Sequence, residues 1–290
     1  MRVAGFLFIR NAIKFDFPVR EALLSMLPLC DEVFVSIGNS DEGDDTTGLI
    51  ESIGSPKVRI SHSTWDDSLR EAGRVLAVET DKAFDQVPDD VDWCIYLQGD
   101  EILHENDHAV IKEAMERYKD DSEVEGLLFN YRHFYGSYDY LGDSRRWYSH
   151  EIRIIRNDKR IRSYRDAQGF RKNGLKLRVK PINAYVYHYG WVRHPSSQVN
   201  KHLAFEKLYN VNQWARQVAA RETFDYSGID SLQKFEGKHP RVMQALIEGK
   251  NWHFSADISK KQFNLKGWFL YWVEKYTGKR LFAYKNYKIV

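Results

Sequence analysis

Runs of apolar residues alternate with segments of helical spacing through the first hundred positions of the chain. Val3–Ile9 is an unbroken apolar run, as expected of a strand covered on both faces of a parallel sheet. Pro18 opens a stretch whose apolar residues recur three and four positions apart, which predicts a helix with proline in its first turn. Further strands are predicted at Glu32–Ile37, 57–63 and 93–97, and further helices at 49–53 and 69–87.

This order of elements predicts an α/β fold with a doubly wound, mostly parallel sheet flanked by helices. Ligands bind beyond the carboxyl ends of the strands in such sheets, so the loops after Ile9, Ile37, His62 and Leu97 are expected to meet at one edge. The side chains that these loops offer for binding are Arg10, Asn11, Asn39, Asp41, Asp44, Asp45, Trp65, Asp66, Asp67, Gln98, Asp100 and Glu101.

The segment "QGDE" after the fourth strand places two carboxylates, Asp100 and Glu101, at this edge. None of the four loops contains a glycine-rich phosphate loop of the P-loop or dinucleotide type. A sheet that must hold phosphates without such a loop suggests a divalent cation that bridges carboxylates to a diphosphate, because hard cations take oxygen ligands. The alternative is that Asp100 and Glu101 cap the helix expected near Asn106, or are solvated loop charges.

Arg10-Asn11 directly follows the first strand, and Asp31-Glu32 stands at the start of the second strand. This order resembles the family 2 glycosyltransferases, which have the GT-A fold and transfer a sugar from a nucleoside-diphosphate sugar. Their first strand commonly ends in Arg-Asn-Glu, and a helix then leads to an Asp-Glu pair. Ala12 stands at the usual Glu, and Ile37 or Gly38 at the first Asp of the following loop. The resemblance covers roughly residues 1–195.

"YLQGDEILHE" resembles the metal motif of that family, Asp-x-Asp in an Asp-Ala-Asp-Glu context, and a branch with Gln-Ala-Asp-Glu instead. Asp100 and Glu101 match the end of the motif, and Gln98 replaces its first Asp. Similar enzymes take another metal contact from a late His, and His188 matches that placement, with His194 as the fallback. The resemblance therefore implies Mn²⁺ or Mg²⁺ bound by Asp100, Glu101 and His188. A structural role is the general alternative for a His after a strand.

The resemblance also implies a site for the nucleotide sugar. Thr80 and Asp81 stand where the family has a polar pair on the helix before the motif strand, and the alternative for them is a solvated helix face. The residues implied to border the donor are Arg10, Asn11, Asn39, Asp66, Thr80, Asp81 and Gln98.

A later segment, "HEIRIIRN", resembles the family's strand that ends in Arg-x-x-Arg-Asn and leads to the acid on the acceptor side. Many relatives have His-Glu where this chain has Ala167-Gln168, beside Asp166. An inverting transfer needs a carboxylate that takes the proton of the acceptor hydroxyl. Asp166 is the expected base and Glu151 the second candidate. The alternative is that Asp166 pairs with Arg162, Arg165 or Arg171.

Two segments are expected in the chain: a GT-A catalytic domain at 1–195 and a helical C-terminal extension, packed on it, at 196–290. Residues 250–290 mix basic and aromatic side chains, which suits an anionic membrane surface where a lipid-linked acceptor is met. A solvated helix with a packed tail is the alternative. The short apolar start predicts neither a signal peptide nor a spanning helix. The expected location is the cytoplasm, with the inner face of the membrane as the other option.

The net charge and the cysteine content limit the classes of function that the chain can have. The 43 basic and 41 acidic residues give a net charge of +2, which disfavours nucleic-acid binding. Cys30 and Cys94, the two cysteines, both lie in apolar runs and are expected to be buried thiols. The resemblance implies transfer of a sugar to a glycan or lipid-linked acceptor, as in cell-surface polysaccharide synthesis. The alternatives are a nucleotide-sugar or glycan-binding protein with impaired catalysis and, less favoured, a nucleotidyltransferase; a carboxylate opposite Asp100 would favour transfer.

Overall fold

Four parallel strands form the half of the main sheet that the apolar pattern predicts. The structure is a computed structural model that describes residues 1–69, 71–209 and 223–290, without the side chains of 205–209. The four strands are β1 Val3–Ile9, β2 Glu32–Ile37, β3 Val58–His62 and β4 Trp93–Tyr96. They pair in the order β3-β2-β1-β4, and all three pairings are parallel. The predicted strands are thereby confirmed.

Four helices accompany these strands. They are α1 Val19–Met26, α2 Thr46–Glu51, α3 Arg74–Asp85 and α4 His108–Arg117. Pro18 directly precedes α1, and the Asp45 carboxylate caps α2 by accepting a hydrogen bond from the backbone N–H of Gly48. The prediction of a helix from residue 69 is wrong at its start. Ala72 and Gly73 have φ angles of 48° and 72°, in a left-handed region that an α-helix does not enter, so α3 begins at Arg74.

Alternate residues of β1 face two apolar layers, one on each side of the sheet. Val3, Leu7 and Ile9 lie in a buried cluster with side chains of α1 and α4. Phe6 and Phe8 lie in a second cluster with side chains of α3. A strand covered on both faces has no polar side to mark its period, which explains its unbroken apolar run. The sheet flanked by helices confirms the α/β fold predicted for a GT-A type chain.

The middle of the chain extends the sheet with mixed pairings. Its strands are β5 Glu101–Leu103, β6 Gly126–Tyr135, β7 Ser137–Gly142, β8 His150–Arg156, β9 Ile161–Tyr164, β10 Gly169–Lys172, β11 Leu175–Lys176 and β12 Arg178–Trp191. β8 lies antiparallel between β4 and β6, while β9 to β11 form a separate small sheet. β12 pairs antiparallel with β5 and places His188 opposite Glu101. This pairing brings the end of β12 to the segment that follows β4.

The last third of the chain contributes α5 Pro195–Tyr209, β13 Leu232–Lys234, α6 Gln244–Glu248, α7 Leu265–Thr277 and β14 Lys288–Ile289. β13 pairs with β7 and β14 with β12, so this part joins the main sheet. Residues 210–222 of the expected helical extension lie outside the described residues, and the domain boundary at 195 stays a prediction. Within the described ranges, no helix has the length and apolar character needed to cross a membrane.

Both cysteines are buried free thiols, as expected. Burial raises the pKa of Cys30 beyond its usual range and that of Cys94 to about 12. Neither thiol is therefore ionised at neutral pH, which leaves both as ordinary core residues.

Candidate active site

A cavity of about 450 Å³ opens at the carboxyl ends of β1 and β4. Loops after three of the four parallel strands reach it, through Arg10 after β1, Trp65 after β3 and the segment 98–100 after β4. Other lining residues come from β12, α5 and the turn between β9 and β10. Among the predicted site residues, the cavity gathers Arg10, Gln98, Asp100, Asp166 and His188.

Asp100 lies at the inner end of the cavity among three nitrogen-bearing side chains. Its Oδ2 accepts a hydrogen bond of 3.0 Å from Lys201 Nζ and lies 3.9 Å from Arg193 Nη2. Its Oδ1 lies 3.7 Å from His188 Nε2. Lys201 also donates to the carbonyl of Gly190 at 3.0 Å, which fixes its ammonium group against the end of β12. The wall of the cavity is therefore positively charged around one carboxylate.

The pKa values follow from burial and these charges. Burial opposes ionisation of Asp100, but Lys201, His188 and Arg193 outweigh it and hold the carboxyl pKa well below its usual range. Burial, followed by the nearby Arg193, lowers the pKa of Lys201 to about 8. Burial also lowers the pKa of His188, which is consequently neutral at pH 7.

A histidine pair fixes the tautomer of His188. The Nε2 atom of His133 lies 2.8 Å from the carbonyl oxygen of Tyr148, which can only accept, so this nitrogen carries the hydrogen. Burial holds the pKa of His133 well below its usual range, so its other nitrogen, Nδ1, is an acceptor. That acceptor lies 2.9 Å from His188 Nδ1, which must donate. His188 Nε2 is left with a lone pair on the side of Asp100.

This donor set fits a divalent cation. Asp100 Oδ1 supplies a carboxylate oxygen, which Mg²⁺-type sites combine with substrate phosphates and water. His188 Nε2 supplies an imidazole lone pair, which is the commonest metal ligand in proteins. A hydrogen bond from the other ring nitrogen, such as that from His188 Nδ1 to His133, orients a metal-binding histidine. Within the described part of the chain, no group of three or more His, Cys, Asp or Glu side chains gathers, so the protein would supply two ligands.

Glu101, predicted as a further metal ligand, lies outside the cavity in a buried ion pair. Arg153 donates to both of its oxygens, and Tyr131 donates to Oε1 at 2.8 Å. Oε2 also accepts from the backbone N–H of Gln98 at 3.1 Å. The carboxylate is thus engaged on both oxygens and holds the backbone of Gln98, two positions before Asp100, in place.

Asp166, the predicted base, lines the same cavity as Asp100 and is half-buried. It lies in a turn whose flanking residues, Arg165 and Ala167, have φ angles of 58° and 62°. The Ala167 carbonyl accepts a hydrogen bond of 3.3 Å from Gln98 Nε2, which ties this turn to the segment after β4. Of the three arginines considered as partners of Asp166, Arg162 pairs with Asp85.

Glu151, the second candidate base, faces a different cavity of about 690 Å³. Gln168 stands between the two cavities and lines both. Its Nε2 donates to Glu151 Oε1 at 2.8 Å. Burial raises the pKa of Glu151 to about 7, against the weaker lowering effects of Arg153 and Gln168. Glu151 therefore lies behind the residue that takes the place of the family's acid.

The two predicted asparagines hold loops together. Asn11 is buried with a φ angle of 57°, and its side-chain oxygen accepts from the backbone N–H of Asp41 at 2.7 Å. Asn39 is exposed, and its oxygen accepts from the backbone N–H of Trp65 at 3.0 Å. Asn39 thus positions Trp65, a residue of the cavity wall.

Thr80 and Asp81 point away from the cavity. The Thr80 hydroxyl is buried and donates at 2.8 Å to a carbonyl one turn earlier in α3. Asp81 accepts a hydrogen bond of 2.8 Å from the backbone N–H of Ser163 in β9. Burial raises the pKa of Asp81 to about 6. Asp81 therefore links α3 to the small sheet, whereas the Thr80 hydroxyl contacts α3 itself and the Tyr96 hydroxyl of β4.

Asp66 and His194 make local turns. Asp66 is exposed and accepts from the backbone N–H of Ser68 at 3.0 Å and from its hydroxyl. These bonds from Ser68 lower the pKa of Asp66. His194 Nδ1 lies 2.8 Å from the hydroxyl of Ser196 at the start of α5, so the fallback metal ligand contacts a helix end.

Two residues of the site were not predicted from the sequence: Lys201, which lines the cavity, and His133, which contacts His188 but is not part of the cavity lining. Lys201 belongs to the expected helical extension, and only the three-dimensional fold brings it to Asp100, 101 positions away.

Trp65 was expected only as a loop side chain, without a position for its ring. A sequence signal for the position of the Trp65 ring exists at Gly38, which is one of the two positions, with Ile37, that the resemblance aligns with the family's first loop Asp. A Cβ atom at Gly38 would lie 2.2 Å from Trp65 Nε1, so the indole fills the space of a side chain there.

Comparison with known proteins gives likenesses to solved structures. No protein-family model and no curated protein matches the sequence. Crystal structures of S. aureus TarS match 77% of this chain at 16% identity with a TM-score of 0.40, and this chain spans 43% of that one. A second match is glucosyl-3-phosphoglycerate synthase from Mycobacterium tuberculosis, crystallised with Mn²⁺, UDP and phosphoglyceric acid. The matched region covers 46% of this chain and 43% of the synthase, at 16% identity and a TM-score of 0.30.

A third match is 4-diphosphocytidyl-2C-methyl-D-erythritol synthase from Anaerococcus prevotii. It covers 73% of this chain and 96% of its own at 10% identity, with a TM-score of 0.39. What the protein does has to follow from its own cavity.

Proposed function

We propose that the protein transfers a sugar from a nucleoside-diphosphate sugar to a hydroxyl group of a glycan or lipid-linked acceptor, with inversion at the anomeric carbon. One observation carries the proposal: a second carboxylate, Asp166, lines the same cavity as Asp100. Transfer requires a group that accepts the proton of the attacking hydroxyl besides the groups that hold the diphosphate. A protein that binds without turnover has no need of the second carboxylate, so the pair favours an enzyme.

The diphosphate binds at Asp100 and its cationic neighbours. Lys201 and Arg193 lie 3.0 Å and 3.9 Å from the carboxylate and leave this corner with more positive than negative charge, which attracts an anion. Asp100 and His188 would hold a divalent cation, Mn²⁺ or Mg²⁺, which when bound neutralises charge that develops on the leaving diphosphate. Lys201 orients the same group through hydrogen bonds from its ammonium group.

The nucleoside lies toward Arg10 and Trp65 at the mouth of the cavity. The Arg10 guanidinium is stacked 4.7 Å from the centre of the Trp65 ring and is held by Asp67 at 3.0 Å. A planar guanidinium or indole surface stacks with any base, so these two residues bind a nucleoside without selecting it. Asp166 accepts the proton of the acceptor hydroxyl as the anomeric carbon is attacked.

Turnover of nucleoside-diphosphate sugars by the full chain tests the proposal. UDP-, GDP-, CDP- and dTDP-sugars are offered with Mn²⁺, and donor hydrolysis is followed in the wild type, Asp166→Asn and Glu151→Gln. Loss of a general base lowers kcat by about 10²- to 10⁴-fold, so Asp166→Asn should lose turnover while it still binds donor. Unchanged kcat in Asp166→Asn, with loss in Glu151→Gln, would assign the proton transfer to Glu151 instead.

A further inference from the structure

The second cavity lies between the segment 145–151 and the C-terminal segment 278–289. It shares two wall residues, Tyr148 and Gln168, with the cavity of about 450 Å³ at Asp100, which we call the donor cavity. The C-terminal segment is held to the body of the protein by pairing of β14 with β12 and by a hydrogen bond of 2.8 Å from Arg171 to the Asn286 carbonyl. The cavity is therefore a defined space next to the reaction centre.

Cations dominate the wall of this cavity. Its five cationic lining residues are Arg145, Arg146, Lys279, Arg280 and Lys285, against one carboxylate, Glu151. His150 also lines the cavity, but burial lowers its pKa, so it is neutral at pH 7. The raised pKa of Glu151, about 7, removes part of even that negative charge at neutral pH. A concentration of this kind is a local feature, because the whole chain has a net charge of only +2.

Two of these cations form ion pairs that hold the structure together, and the other three form none among the described residues. Arg145 pairs with Glu274 at 2.7 Å, and Arg280 lies 3.6 Å from the same carboxylate, so both fasten α7 to the cavity wall. Among the described residues, no carboxylate lies within ion-pair distance of the three others, which are exposed: Arg146, Lys279 and Lys285. Their charge is available to a ligand.

Aromatic rings stand beside these cations. Phe282 and Tyr284 line the cavity and are 90% and 66% exposed, far more than a packing role requires. Exposed aromatic rings beside cations suit a ligand that has an apolar or sugar ring and an anionic group. We infer that this cavity binds the acceptor substrate, and that the acceptor bears a phosphate group recognised by Arg146, Lys279 and Lys285. The inference rests on the proposed sugar transfer and adds the chemical class of its acceptor.

The shared wall of the two cavities explains how an acceptor bound in the second cavity can reach the donor. An acceptor held by its phosphate at the C-terminal segment extends past Gln168 and Tyr148 toward the donor cavity, where Asp166 lies. The phosphate belongs either to a soluble sugar or polyol phosphate or to a lipid headgroup, and both present the same anionic oxygens to the cations.

Phosphate binding by the full chain tests the inference. Glycerol 3-phosphate is titrated and followed by ³¹P NMR, and vesicles of phosphatidylglycerol are compared with vesicles of phosphatidylcholine. The variant Lys279→Gln/Lys285→Gln is compared with Lys112→Gln/Lys266→Gln, which removes the same charge from exposed lysines elsewhere. We expect the first variant, but not the second, to bind the phosphate compound about tenfold more weakly. Preference for soluble phosphate or for anionic vesicles identifies which source carries the group.

Equal binding by the wild type and Lys279→Gln/Lys285→Gln, or no binding of either phosphate source by the wild type, overturns the inference. Titration of the same proteins with nucleoside diphosphates keeps it separate from the proposed function. That binding should be unchanged in Lys279→Gln/Lys285→Gln, because these lysines lie outside the donor cavity. A wild type that binds glycerol 3-phosphate but no nucleoside diphosphate would contradict the sugar-transfer proposal, not the phosphate site.

Discussion

Arg153 donates two hydrogen bonds to the carboxylate of Glu101, from Nε to Oε2 at 2.6 Å and from Nη2 to Oε1 at 2.7 Å, and neither side chain is exposed to solvent. The pair supports the wall of the donor cavity, because Glu101 also accepts a hydrogen bond from the backbone N–H of Gln98, which lines that cavity. Removal of one partner would leave the other as an uncompensated buried charge. The geometry of Asp100, next to Glu101 in the chain, depends on this pair.

Neutralisation of one member should therefore be costly. We expect Glu101→Gln or Arg153→Met to lower the free energy of unfolding by about 3–5 kcal/mol, measured by urea denaturation. The double variant should lose less than the two single losses added together, since neither charge is then left alone. Glu113→Gln, which breaks the exposed pair with Arg117, is the control and should cost under about 1 kcal/mol. A similar small loss in Arg153→Met would contradict the buried-pair assignment.

Glu151 should make stability depend on pH. Its pKa is raised by burial from an ordinary 4.5 to about 7 in the folded protein, so between these pH values the unfolded chain ionises and the folded chain does not. Stability contributed by Glu151 is then lost as pH rises from about 4.5 to 7, by up to about 3 kcal/mol, and is constant above that.

Glu151→Gln removes this dependence. The variant should gain stability over the wild type at pH 8 and lose that advantage near pH 4.5, as followed by melting temperature across pH. The exposed Glu42→Gln serves as the control and should follow the wild type at every pH. An equal difference between Glu151→Gln and the wild type at both pH values would show that the carboxyl is ionised when folded.

His133 should act on metal binding through His188. His133→Phe removes the acceptor for His188 Nδ1 and frees the ring to adopt the other tautomer. We expect Mn²⁺ affinity, measured by EPR in the presence of a nucleoside diphosphate, to fall by about 10- to 100-fold. His133→Gln can both accept and donate and should recover part of the affinity. Nucleotide binding without metal should be the same in all three proteins, and equal Mn²⁺ affinity in His133→Phe would remove His133 from this role.

Lys201 should discriminate diphosphates from nucleosides. Its ammonium group lies beside Asp100 in the cavity, so Lys201→Met removes one charge-assisted hydrogen bond to the diphosphate, worth about 1.5–3 kcal/mol, and affinity should fall about 10- to 150-fold. Binding of the corresponding nucleoside should be unaffected. Calorimetric titration of both ligands measures the difference. An equal loss for nucleoside and diphosphate would indicate a general disturbance of the cavity.

The local pattern of apolar residues was sufficient to predict the parallel strands, but it did not predict which side chains meet at the site. The unbroken apolar run of β1 predicts a strand covered on both faces, and its residues indeed face two apolar layers. The start of α3 was missed, because apolar spacing continues through Ala72 although its backbone is left-handed. A polar residue after a strand is visible in sequence, but its hydrogen-bond partner is not. Asn11 and Asp81 were accordingly expected at the donor and bind backbone N–H groups instead.

Residues that meet across the fold were the hardest to predict. Lys201 and Asp100 are 101 positions apart, and His133 and His188 are 55 apart. In each case one member looked ordinary in its own segment. The turn of Asp166 was singled out because the resemblance places the family's acid at the neighbouring Ala167-Gln168, whereas its connection to Gln98 through the Ala167 carbonyl follows from folding alone.

Donor binding tests the central claim most directly. UDP, GDP, CDP and dTDP are titrated calorimetrically, with Mn²⁺, into the wild type, Asp100→Asn and Asp166→Asn. We predict that one nucleoside diphosphate binds the wild type, that Asp100→Asn weakens it at least about tenfold, and that Asp166→Asn leaves it unchanged. Binding of none of the four, or equal binding by the wild type and Asp100→Asn, would contradict a nucleoside-diphosphate site at Asp100.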